Sequence, residues 1–201
     1  MIMMQGTYYK EWSSVLNREM EFKVYGSAGV PVLALPARGG RFYDWENNGM
    51  PDAIAQLLNE GKVQLFCADS IDGEAVLNGD APVRRRAEME EKYFVYLTAE
   101  LAPRILTLNN AKKGTRIWTA GVDLGAYHAV HCRLRRPTLF ASTACWQASR
   151  SPSCAARSSL RGPSAFPASM IWPASGAARR MIWYCAPLPC CIWAKRALPT
   201  S

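Results

Sequence analysis

After Asp123 the chain contains no aspartate or glutamate, and after His131 it contains no histidine. A catalytic pair of acid and histidine late in the chain is therefore excluded for this sequence as written. Long apolar runs are missing too: no stretch approaches the roughly 18–20 unbroken apolar residues of a membrane helix. The opening MIMMQGTYYKEWSS has no basic region followed by an apolar run, so no signal peptide is expected. These absences point to a cytoplasmic protein without a membrane partner. Cysteine is present, but the late cysteines 145, 154, 185, 190 and 191 form no Cys-x-x-Cys pair, and no histidine follows them. That argues against a zinc site, and neither a metal nor another cofactor is expected.

What is there divides sharply in two. With 201 residues the chain suits one domain with a sizeable core. The net charge of +8 resembles that of a nucleic-acid binder until it is located. Residues 1–140 hold 17 Lys and Arg against all 16 acids, whereas residues 141–201 hold seven and no acid. The later segment also carries four of the seven tryptophans and seven of the thirteen prolines. Residues 1–140 thus read as a folded core and 141–201 as a basic, acid-free tail. Charge alone supports non-specific nucleic-acid binding, but no recognisable fold or aromatic platform accompanies it, so no specific nucleic-acid partner is expected.

Within the core, TYYKEW (7–12) and EMEFKVY (19–25) read as strands, the second with Met20, Phe22 and Val24 alternating with charged residues. PVLAL (31–35) and VQLFCAD (63–69) are short continuous apolar runs of the kind buried on both faces. GMPDAIAQLLNEGK (49–62) reads as a helix with Pro51 near its start and Gly61 at its end. Residues 83–109 carry an apolar stripe, Met89, Tyr93, Leu97, Leu101, Ile105 and Leu108, which Pro103 should kink or split. TRIWTAG (115–121) is a further strand and GAYHAVHCRLRRP (125–137) a further helix. Strands alternating with helices predict an α/β fold: a mostly parallel sheet, led by an antiparallel hairpin, with helices on both faces.

The most informative stretch is TAGVDLGAYHA, 119–129, which sets Gly121 and Gly125 two places either side of Asp123. A strand running through Gly-x-nucleophile-x-Gly straight into a helix is the context of a nucleophile elbow. The turn is sharp, its central residue strained, and side chains at either glycine would collide with the neighbouring backbone. Two glycines at this spacing also serve ordinary close packing, and PARGGRF (36–42) equally suits a plain strand-to-helix turn or a backbone anion site.

Three stretches, VYGSAGVPVLALPARGGRFYDWENNGM, KVQLFCADSIDGEA and GVDLGAYHAVHCRLRRPTLF, resemble the esterase family of α/β-hydrolases that includes esterase D and polyhydroxyalkanoate depolymerases. The resemblance covers about residues 7–140. It implies an incomplete α/β-hydrolase acting on a small acyl ester or thioester. It also implies a catalytic serine where Asp123 stands, with an oxyanion hole made by the backbone N–H of Leu124 and another near Arg38 or Gly39. The sequence departs from the family in lacking that serine and the late acid and histidine.

The genetic code supplies a test of the tail, because methionine and tryptophan each have one codon. MIWYC (181–185), read one base earlier, becomes Asp, Leu or Met, Val, Leu after an undefined residue. TACWQ (143–147) treated likewise allows Asp-Gly-Val-Leu-Ala, close to the strand the family places after RRPTLF. IWAKRALPT (192–200) permits Leu-Gly-Gln-Glu-Gly-Ile-Ala-His, restoring an acid and a histidine. The tail therefore reads as frame-shifted translation, with a natural Ala/Ser/Pro/Arg-rich disordered segment as the alternative.

Three functional readings stay open at this point. Asp123 is an elbow that has lost its nucleophile, or it is itself the nucleophile, as aspartate is in haloalkane dehalogenases and epoxide hydrolases, or the chain is a non-catalytic product with a basic tail. His128 and His131 sit on the helix behind the elbow, which should turn them away from its exposed side. Arg84, Arg85 and Arg86, with Glu88, Glu90 and Glu91 close by, read as a solvated face. Cys67 reads as a small core residue.

Overall fold

Alternation with a period of two builds the first hairpin. The computed structural model describes residues 5–146 and 184–185. In it β1 (Thr7–Ser13) and β2 (Arg18–Tyr25) pair antiparallel, and Met20, Phe22 and Val24 point into the core. The continuous apolar runs become interior strands, β3 (Val30–Leu35) and β4 (Val63–Ala68), followed by β5 (Ile117–Val122) and β6 (Phe140–Trp146). A two-residue β7 (Tyr184–Cys185) adds to the far edge. The sheet order is β1-β2-β4-β3-β5-β6-β7; β3, β4, β5 and β6 run parallel, while β2 meets β4 and β7 meets β6 antiparallel. This is the α/β architecture expected from the pattern of elements.

Because successive side chains of a strand face opposite ways, the interior strands feed two separate cores. Leu33, Leu35, Phe66, Ala68 and Ile117 pack on one face with the long helices; Val32, Ala34, Leu65, Cys67 and Ala120 pack on the other with the short ones. The apolar stripe of residues 83–109 is buried as its spacing requires, with Leu108 at the margin.

Two helices differ from expectation in their details. Residues 49–62 form short pieces rather than one helix: α1 (Asp44–Asn47) begins earlier, then come α2 (Met50–Ala53) and α3 (Ala55–Asn59). Gly49, left-handed at φ 71°, separates the first two, and Ile54 at φ −106° breaks the second pair. The breaks let Trp45, Met50, Ile54 and Leu58 follow the curvature of the sheet and share one core. The 83–109 helix is α4 (Val83–Val95), a π-helical turn over Tyr96–Leu101, and α5 (Ala102–Leu108). Proline lacks an N–H and crowds the carbonyl four residues back; a widened turn ahead of Pro103 accommodates both without breaking the rod. The last helix, α6, spans Leu124–Arg135.

The compositional break at residue 141 falls inside β6, which pairs with β5 from Phe140 to Trp146. The rest of the tail, apart from β7, lies outside the described residues, and so does the expectation that it is disordered.

Candidate functional site

One residue joins β5 to α6. Asp123 has φ 52° and ψ −113°, a conformation that L-residues rarely adopt. Its carbonyl accepts the N–H of Ala126 at 3.1 Å, which starts the helix immediately. A Cβ on Gly121 would lie 2.1 Å from the Gly125 carbonyl oxygen, and one on Gly125 would lie 2.2 Å from that of Pro36. Those contacts are backbone to backbone, so nothing can swing aside. The two glycines let the elbow close against the end of β3. The Asp123 carboxylate is half exposed, 3.6 Å from Nε of Arg38.

The PARGGRF loop lies alongside, held by buried acids. Gly39 (φ 65°) donates its N–H to Oδ2 of Asp72 at 3.1 Å, and Gly40 donates to the Ala37 carbonyl at 2.8 Å. Arg41 spans Asp69, at 2.6 Å, and Glu21. Burial raises the Asp69 carboxyl above its usual range, outweighing the opposing pull of Arg41 and the Phe42 N–H. Ser70 closes the loop by donating its hydroxyl to the Gly40 carbonyl. Asp123, Leu124, Arg38 and Gly39 thus come together at the ends of β3 and β5, with Gly121 and Gly125 beneath them.

Neither histidine faces this site. His128 is buried with Nε2 3.2 Å from Oδ1 of Asp72 and Nδ1 3.7 Å from Oε2 of Glu90. His131 packs against Phe94 and Tyr127, and burial followed by nearby Arg135 lowers its pKa. The basic triplet at 84–86 is resolved differently from its sequence reading. Glu88 pairs with Arg84 and Arg85 on the surface, and Glu91 pairs with Arg135, but Glu90 turns inward toward His128. Sequence spacing could not reveal this, because Asp72, Glu90 and His128 come from a loop and two helices far apart in the chain. Cys67 is fully buried, as expected of a core residue, and burial pushes its thiol up; burial likewise takes Cys132 to about 12.

No helix among the described residues is long and apolar enough to cross a membrane. No family model matches the chain, and no curated protein matches it. Solved structures do. An S-formylglutathione hydrolase from Agrobacterium tumefaciens superposes with a TM-score of 0.53 at 20% identity, over 71% of this chain and 58% of that one. A ferulic acid esterase from Anaeromyces mucronatus gives 0.53 at 16% identity, over 72% and 58%. An S-formylglutathione hydrolase from Staphylococcus aureus gives 0.51 at 12% identity, over 68% and 54%. The chain spans little more than half the length of these proteins, and at such identities the likeness is one of fold: the mostly parallel sheet, its leading hairpin and its helices make a partial α/β-hydrolase fold similar to that of these esterases.

Proposed function

We propose that this chain is the elbow-bearing part of an esterase-type α/β-hydrolase in which Asp123 occupies the nucleophile position, and that as written it does not hydrolyse carboxylic esters. The observation that carries this is the backbone of Asp123: a strained residue alone between strand and helix, with glycines two places either side packed against backbone. The complete enzyme would take a small acyl ester or thioester. Its oxyanion would be held by the N–H of Leu124 and that of Arg38, or of Gly39 once released from Asp72. Residues 1–140 would supply this core, and the tail from about 141 would be translation in a shifted frame, which sequencing the gene across codons 130–145 tests directly.

The inactivity follows from chemistry. Ester hydrolysis of this kind needs an oxygen nucleophile, a histidine to move its proton, and an acid to orient that histidine. A carboxylate at 123 attacking an ester carbonyl would form an anhydride, and His128 is occupied between Asp72 and Glu90. The second reading, an aspartate nucleophile that attacks saturated carbon, is favoured by the exposed Asp123 carboxylate, but it too lacks a base for the second step.

Hydrolysis of an aryl acetate separates the cases. The chain as written and Asp123→Ser should both run at the rate of a control protein. Asp123→Ser joined to a tail recoded in the shifted frame should be active. An active Asp123→Ser alone would mean that a base exists within the present sequence, and the proposal would fail.

A further inference from the structure

Behind the elbow, three side chains from separate elements converge. Asp72 lies in the loop after β4, Glu90 on α4 and His128 on α6, and one donor atom from each falls within 4.8 Å of the other two. The Asp72 and His128 side chains are 1% and 4% exposed and that of Glu90 is 18% exposed, so this is not a solvated acidic patch.

The hydrogen bonding of the group is incomplete. Oε1 of Glu90 is buried without a hydrogen-bond partner, Oε2 stands 3.7 Å from Nδ1 of His128, too far for a hydrogen bond, and the backbone N–H of Val76 is the donor that acts on this carboxylate. A buried carboxylate left this way is costly, and such a group calls for an occupant. The charge is incomplete as well. The cluster sets two carboxyl groups, Asp72 and Glu90, against a single imidazole. A divalent cation with a neutral imidazole would balance both.

The geometry suits such an ion. Donors bound at about 2.0–2.2 Å in a tetrahedral arrangement stand roughly 3.3–3.6 Å apart; one donor atom from each of the three residues falls within 4.8 Å of the others, and an ion held by one ring nitrogen of His128 would replace the hydrogen bond that now joins Nε2 to Oδ1 of Asp72 at 3.2 Å. The other oxygen of Asp72 is held by the Gly39 N–H, the kind of outer contact that orients a metal-binding carboxylate. We propose that Asp72, Glu90 and His128 bind one divalent transition-metal ion, of the class that accepts two carboxylates and an imidazole: zinc, manganese or ferrous iron. This departs from the sequence reading, in which no metal is expected. The ion would tie α4 and α6 to the loop that carries Asp72 and, through Gly39, to the PARGGRF loop.

Manganese is the probe, because the late cysteines would compete for zinc. The full chain, stripped with chelator, is titrated with Mn2+ while free Mn2+ is followed by electron paramagnetic resonance. One saturable site is expected, with affinity reduced at least tenfold in Glu90→Gln and in His128→Gln. Pulsed spectra of the unmodified chain should carry a nitrogen coupling that persists in His131→Gln, so a variant that fails to fold does not remove the test. Absence of saturable binding, binding without nitrogen coupling, or unchanged affinity in both folded variants would overturn the proposal.

Discussion

Asp123 holds its backbone at positive φ with ψ −113°, at a cost of order 1–3 kcal/mol for a residue with a side chain. Its ion pair with Arg38 joins two exposed groups and offsets at most about 1 kcal/mol of that. Asp123→Gly should therefore raise the urea midpoint, despite the freedom glycine adds to the unfolded chain. Gly121→Ala and Gly125→Ala should lower it, through a loss of about 3 kcal/mol or more of unfolding free energy, since their methyl groups would meet backbone that cannot move. A neutral Gly121→Ala would mean the elbow is looser than described. Glu90 makes a second prediction at this scale. Burial raises its carboxyl above 4.5, with Asp72 adding to the rise and His128 and the Val76 N–H opposing it. Above pH 4.5 the folded chain keeps a proton the unfolded chain has released, so stability falls as pH rises towards the native value. Urea midpoints in chelator should show that decline, and Glu90→Gln should reduce it, leaving the share owed to Asp69. An unreduced slope would assign all of it elsewhere.

At the scale of elements, the π-helical turn has a use beyond accommodating Pro103. It carries Glu100, whose carboxylate accepts hydrogen bonds from the hydroxyls of Ser13 and Ser14 and from the N–H groups of Ser14 and Val15. The turn between β1 and β2 is thus pinned to the long helix. Burial pushes the Glu100 carboxyl upward, but those four donors outweigh it and its pKa is lowered. Its contribution is complete above about pH 4.5 and is lost as pH falls through the native value. Glu100→Gln should cost about 1–3 kcal/mol at neutral pH, and less in acid, as thermal melts at the two conditions would record. An equal cost at both would deny the charge any part. The stripe from Met89 to Ile105 was legible because apolar residues recur along it at an unbroken spacing of four. The division of residues 44–59 was not, since Gly49 and Ile54 act through φ angles set by packing on the sheet.

For the whole molecule, the test is whether the sixth strand belongs to the fold although composition changes within it. Phe140 is fully buried in the core shared by α4, α5 and α6. Phe140→Ala should cost about 3–5 kcal/mol, measured by urea denaturation; a cost below 1 kcal/mol would detach β6 from the cooperative unit.

By itself the sequence determined the first five strands, the mostly parallel α/β class, the long helix and the tight turn at Asp123. Each is local: a period of two or 3.6, a proline, or glycines at fixed spacing acts over a few residues. It also located the charge imbalance, which is a matter of counting. Only the tertiary structure decided that Glu90 turns inward while Glu88 and Glu91 stay outside, that Asp72 reaches both Gly39 and His128, and that β6 crosses the compositional break. Those outcomes depend on which surfaces meet when β4, α4 and α6 pack together, and side chains far apart in the chain leave no periodic mark of such a meeting.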